Sequence, residues 1–209
     1  MANLGDSKAR LFYLNNKYLK TGNSTSEIKI KKLSKVFNIR KKSEQIIYKK
    51  KFPEDKDIIK CYDHRSCYVK GVLQPTRTLG DYSLKYLYFN LNNLNDAFLY
   101  ERIYSGPYIS SVPDIRIMDM KNNFRYLIMG TDGLWDVVKS REIASLIGNK
   151  FYKIEKITYE LMNYSLIKYS FENNMNGDYL NILRTPNGRK RRNMHDDITI
   201  ITCDLTKYF

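Results

Sequence analysis

RYLIMGTDGLWDVV, residues 125–138, is the stretch that decides the fold. The apolar run at residues 124–129 has strand composition and breaks at Gly130-Thr131-Asp132-Gly133. The turn thrusts Asp132 outward at a sheet end, Asp136 lies four residues on, and Trp135 can bury its ring beneath the turn. Taken alone, the stretch supports two readings. The carboxylates cap a turn and a helix start, or they bind a cation.

Three further stretches tilt the balance. HDDITIITCDL, residues 195–205, sets Asp196 and Asp197 directly before an apolar strand. Adjacent like charges there are costly without a cation or strong donors. The competing reading is a strand-start turn beside the basic GRKRR run at residues 188–192. NLGDSKAR, residues 3–10, places Asp6 in a tight turn before a strand at residues 8–14. GVLQPTRTLGDYSLK, residues 71–85, carries a Gly80-Asp81 turn that we read as structural, with no metal role for Asp81. Carboxylates gathered from separate strand ends form the hard-oxygen set that suits Mg²⁺ or Mn²⁺.

In this order the four stretches resemble the metal-dependent serine/threonine protein phosphatases of type 2C, and residues 71–85 resemble the pyruvate dehydrogenase phosphatase-like form. The resemblance implies an α+β fold: a four-layer α/β/β/α sandwich with central antiparallel sheets and metals at one end. It implies that Asp132 and Asp196 ligate one catalytic metal, and that Asp6, with Asp132 and Asp136, holds a weaker one. Gly133 and Asp197 would support them. Asp197 stands where many members carry Asn, and Lys8 replaces a more usual Arg. Arg77 has two readings, a phosphate contact or a buried pair, and its apolar neighbours favour the pair. No side chain is the implied nucleophile. A metal-bound water would attack phosphoserine or phosphothreonine in a protein partner, with two or more Mg²⁺ or Mn²⁺ ions per complete site.

The family's opening acidic strand and DGHGG motif, with its metal-bridging Asp, do not occur in the sequence. The expectation is that this chain is the C-terminal part of the domain, with the N-terminal portion missing, and is inactive by itself. The alternative is a pseudophosphatase that keeps the fold as a protein-binding scaffold. The retained aspartates favour the enzyme.

Composition sets outer bounds. The 209 residues suit one domain with insertions, and 43% hydrophobic content supports a real core. A net charge of +14 favours anionic partners, but no RNA-binding aromatic signature accompanies it, so no specific nucleic acid is expected. The charge concentrates at residues 29–51, inside a variable basic flap read at residues 21–62; residues 86–107 read as a loop insertion. No apolar run approaches membrane-spanning length, and a monomer is expected. The three cysteines argue against a disulfide framework and for a reducing, intracellular compartment, cytoplasmic, nuclear or mitochondrial. Cys61, His64 and Cys67 lack a fourth ligand for zinc.

Between the motifs, residues 45–48, 67–73 and 112–119 read as strands. Ser140 reads as an N-cap, with Ile143, Ala144 and Ile147 on one helical face and Gly148 as the stop. A longer helix is expected with Ile154, Ile157, Leu161 and Leu166 as its stripe. Residues 173–193 read as loop, with GRKRR as a solvated run rather than a nuclear signal, and residues 198–205 as a closing strand.

Overall fold

The computed structural model describes residues 1–18, 24–63, 66–91, 105–148 and 154–208. In chain order the elements are β1 (Ala2–Asn3), β2 (Lys8–Tyr18), β3 (Ser24–Lys32), α1 (Lys42–Lys51), β4 (Ile59–Cys61), β5 (Cys67–Val69) and α2 (Tyr88–Leu91). They continue as β6 (Asp114–Ile115), β7 (Phe124–Gly130), α3 (Asp132–Trp135), α4 (Ser140–Gly148), α5 (Ile154–Glu172), α6 (Leu180–Arg184), α7 (Arg189–Arg192) and β8 (Ile200–Asp204). The architecture is α+β, and it divides into two units, Met1–Asp6 with Lys35–Ile115, and Ser7–Ser34 with Arg116–Phe209.

The second unit is built on a four-stranded antiparallel sheet ordered β3-β2-β7-β8. Its centre was legible in the pattern. Alternate residues of β7, from Phe124 to Gly130, are fully buried, and those between them are half-buried. One sheet face therefore carries Phe12, Tyr126 and Ile128, with Ile28, Ile30 and Ile200 beside them. Onto this face pack Leu134, Trp135 and Val138, then Ile143 and Ile147 of α4, then Ile157 and Leu161 of α5. Each such burial is worth about 1.5–3 kcal/mol. The opposite face holds a smaller cluster around Leu11 and Leu205, with Tyr13 and Leu127 half-buried, and Phe124 joins it because the register shifts between Phe12 and Tyr13.

The α4 start differs by one residue from expectation. Ser140 is its first helical residue, and the Glu142 carboxylate accepts the Lys139 backbone N–H at 2.7 Å, so Lys139 is the capped position. The helix at Ile154–Glu172 is present, with Ile157, Leu161 and Leu166 buried as expected. Residues 173–193 are not all loop, because they contain α6 and α7.

The first unit packs α1 on Tyr108. The Tyr48 and Phe52 rings meet tilted at 5.9 Å, those of Phe52 and Tyr108 at 5.6 Å, and the Tyr48 hydroxyl donates to the Tyr108 carbonyl at 2.8 Å. Residues 45–48, expected as a strand, lie inside this helix. Residues 112–119, also expected as a strand, pair only as β6, whose Asp114 and Ile115 meet β1. The cysteine expectation is likewise corrected. Cys61 and Cys67 face each other across the antiparallel β4–β5 pair, with Cα atoms 4.0 Å apart, and are joined as a disulfide. His64 lies outside the described residues, as does most of the expected 86–107 insertion. The basic stretch is shared out: β3 is an edge strand of the main sheet, and α1 belongs to the first unit. The Gly80-Asp81 turn takes left-handed backbone at both residues, φ 49° and 50°. Among the described residues, no helix is long and apolar enough to cross a membrane.

Candidate functional site

The end of β7 and the approach to β8 meet at one corner of the second unit. The Thr131 N–H donates to the Thr199 carbonyl at 3.2 Å. The Thr131 hydroxyl donates to the Asp197 carbonyl at 2.9 Å and accepts the Thr199 N–H at 3.1 Å. Gly133 lies so close that a Cβ on it would sit 2.5 Å from the Asp197 carbonyl oxygen and 3.3 Å from that of Asp196. Only glycine permits this approach. The two motifs that carry Asp132 and Asp196 are therefore in backbone contact.

Trp135 fixes the corner from below. Its indole N–H is shared between the carbonyls of Lys8, at 3.1 Å, and Gly130, at 3.0 Å. The ring is buried, as expected from the sequence, and the Arg10 guanidinium lies 5.4 Å from its centroid.

The carboxylates differ in their surroundings. Asp132 Oδ1 accepts its neighbour's N–H, that of Gly133, at 3.0 Å. Asp136 lies 3.9 Å from the Lys8 ammonium. Asp196 Oδ1 accepts the Asp197 N–H at 2.6 Å and pairs with the Arg192 guanidinium. Asp197 itself is 95% exposed and 3.6 Å from Arg192, so it serves the corner through its carbonyl. The Tyr169 hydroxyl donates to the Gly133 carbonyl at 2.8 Å. Burial pushes this phenol up, and the negative field of Asp136, Asp196, Glu172 and Asp132 pushes it further. One buried phenol thus feels three of the four candidate ligands.

Asp6 and Arg77, the other candidates read from the sequence, lie in the first unit. Asp6 Oδ2 accepts the Asn38 side-chain amide at 2.7 Å. Arg77 stacks 3.8 Å from the Phe37 ring centroid and donates to the Val112 carbonyl at 2.7 Å.

Three contributors escaped sequence reasoning. Tyr169 extends the α5 stripe by two turns beyond Leu161, so helical spacing alone could have found it. Arg192 stands at i, i+4 to Asp196, a spacing visible in the sequence. His195 had no such signal. Its Nε2 accepts Arg191 Nε at 3.3 Å, which leaves the proton on Nδ1 to donate to the Asp196 carbonyl at 2.7 Å.

The donors have the right chemistry for a hard divalent cation, and the guanidinium on Asp196 shows that positive charge is favoured there. Among the described residues, no three His, Cys, Asp or Glu side chains group tightly enough to enclose one ion. What brings Asp132 and Asp196 to one corner is the backbone contact of their two motifs.

Comparison with known proteins gives the family. Residues 54–175 match the Protein phosphatase 2C family. The chain belongs to that family. It is 29% identical over 205 residues to probable protein phosphatase 2C 28 of Oryza sativa subsp. japonica, covering 98% of this chain and 48% of that protein. It is 28% identical over 205 residues to probable protein phosphatase 2C 79 of Arabidopsis thaliana, covering 98% of this chain and 50% of the relative. The chain thus spans about half the length of the curated relatives it matches. A solved structure of a C. elegans sex determining protein shares the fold at a TM-score of 0.53 and 15% identity, covering 97% of this chain and 35% of that one.

Proposed function

We propose that the protein to which this chain belongs hydrolyses phosphoserine and phosphothreonine in other proteins, using Mg²⁺ or Mn²⁺ held in part by Asp132 and Asp196. The observation that carries this reading is the backbone contact between the Gly133 turn and the Asp196-Asp197 pair. A bound divalent cation would supply Lewis-acid activation of water and neutralise charge on the phosphoryl oxygens. The chain's own residues prepare the place. Gly133 lets the two motifs approach, Thr131 and Tyr169 fix the backbone on either side, and Trp135 locks β7 to β2 beneath. Asp136 adds negative charge beside the pair.

The reading extends to the fold. A four-layer sandwich would bury the half-exposed face of the sheet, where Ile201 is 51% exposed beside the Leu11 cluster. It also extends to activity. The chain alone is expected to turn over phosphopeptides poorly, because a two-ion mechanism needs a bridging carboxylate beyond Asp132 and Asp196.

Calorimetric titration with Mn²⁺ tests the ligand assignment on this chain and on its Asp132→Asn and Asp196→Asn variants. Each substitution should weaken Mn²⁺ binding at least about ten-fold, the low end of the loss seen when even a group supporting a ligand is removed. Equal affinity in all three proteins would remove both residues from the site.

A further inference from the structure

A pocket of about 760 Å³ opens beside the Asp196 corner, between α5 and the α6–α7 segment. Its floor is apolar, with Leu166 of α5 and Ile198 ahead of β8 among its lining residues. Three arginines, Arg189, Arg191 and Arg192, are among its lining residues, against a single acidic one, Asp197. Arg191 is held in place. It donates to the Asn187 side-chain oxygen at 2.8 Å and to His195 Nε2 at 3.3 Å. His195 in turn donates to the Asp196 carbonyl, so the basic lining is tied by consecutive hydrogen bonds to a candidate metal ligand.

The charge of the lining selects the ligand. Planar guanidinium forks match a tetrahedral dianion in geometry and charge, and concave guanidinium clusters recognise phosphoryl groups more strongly than single carboxylates. Arg192 is already shared with Asp196 and Asp197, and Arg191 keeps only its second terminal nitrogen beyond its bonds to Asn187 and His195, so Arg189 is the principal donor and Arg191 the second.

We infer that this pocket takes a second phosphoryl group of the peptide substrate, one that is not being hydrolysed, and so selects multiply phosphorylated protein segments. The inference rests on the phosphatase reading only for the word substrate; the pocket itself requires no metal. An acidic side chain is the competing occupant, and binding experiments separate the two.

Fluorescence anisotropy would follow labelled peptides that carry non-hydrolysable phosphonate analogues of phosphoserine, on the full chain. In EDTA, a one-phosphonate peptide should bind. Binding should fall about ten-fold or more in Arg189→Ala and in Arg189→Ala/Arg191→Ala, the scale of losing charge-assisted contacts. Lys190→Ala, outside the pocket lining, should bind as the parent does. A peptide with Glu in place of the phosphonate should bind weakly. With Mn²⁺ added, a two-phosphonate peptide should bind about ten-fold more tightly than a one-phosphonate peptide, and the double variant should lose that gain. Unchanged binding by the arginine variants in EDTA would overturn the pocket. Equal binding of the Glu peptide would reassign it to acidic side chains. Where calorimetry shows Mn²⁺ bound, no gain from the second phosphonate would refute the second-group assignment. The single Arg189→Ala change leaves the bonds of Arg191 intact, and a melting temperature equal to the parent's would separate lost binding from lost folding. Failure of Mn²⁺ titration with the EDTA result intact would fall on the phosphatase reading alone.

Discussion

Gly133 is the residue on which the corner depends. Any side chain there meets backbone, the Asp197 carbonyl at 2.5 Å, and backbone cannot rotate away as a side-chain tip can. Gly133→Ala should therefore cost about 1–3 kcal/mol, the usual penalty for overpacking a tight site. A shifted urea midpoint would measure the loss, and weakened Mn²⁺ binding should accompany it. Glu142 offers a second handle. Its hydrogen bond from the Lys168 ammonium, with further bonds from the Lys139 N–H and the Tyr164 hydroxyl, holds the carboxyl down at about 2, against burial that works the other way. A depressed carboxyl adds stability above its usual 4.5, and that contribution disappears as pH falls toward 2. The parent chain should melt higher than Glu142→Gln at pH 6, and the gap should narrow through that window. A gap independent of pH would show that the ion pair contributes nothing.

At the level of elements, the sequence was most legible where period and turn chemistry agreed. β7 alternates and ends in a Gly-Thr-Asp-Gly turn, so its place and its buried face were readable together. Residues 45–48 failed because Ile46, Ile47 and Tyr48 have strand composition, yet the helix is decided by Tyr48 and Phe52 packing on Tyr108, sixty and fifty-six positions away along the chain. Residues 112–119 failed for the opposite reason. Their alternation is real, but Ile115 and Ile117 are 67% and 93% exposed, and only two residues find a partner strand. The site divided along the same line. Asp132, Asp196 and Gly133 announce themselves in local motifs, whereas Tyr169 and His195 reach the corner by tertiary packing. The β4–β5 hairpin was misread because pairing register, not cysteine count, sets Cys61 opposite Cys67. Thiol titration of the unfolded, unreduced protein should find the one free cysteine, Cys203, and full reduction should reveal all three. Three thiols before reduction would refute the bridge.

At the scale of the whole molecule, charge and core pull in different directions. Each unit has its own buried cluster, one around Phe12, Ile128 and Leu161, the other around Ile39, Phe52 and Tyr108. Against this, 36 Lys and Arg face only 22 Asp and Glu. Exposed ion pairs such as Lys29 with Glu27 return little of that excess. Mutual repulsion should therefore destabilise the chain at low salt, and raising NaCl from about 10 to about 150 mM, where screening acts within roughly 8 Å, should raise the melting temperature. A fall over that range would mean that specific pairs outweigh the general repulsion. The aromatic inventory has a different consequence. Among 18 Tyr and 9 Phe stands a single Trp, the one whose indole N–H bridges Lys8 and Gly130 directly under the Asp132 turn. The protein thus carries one intrinsic fluorophore with a distinct red-edge excitation, seated where ion occupancy and unfolding would both change its emission, so an unlabelled sample can report on its own site.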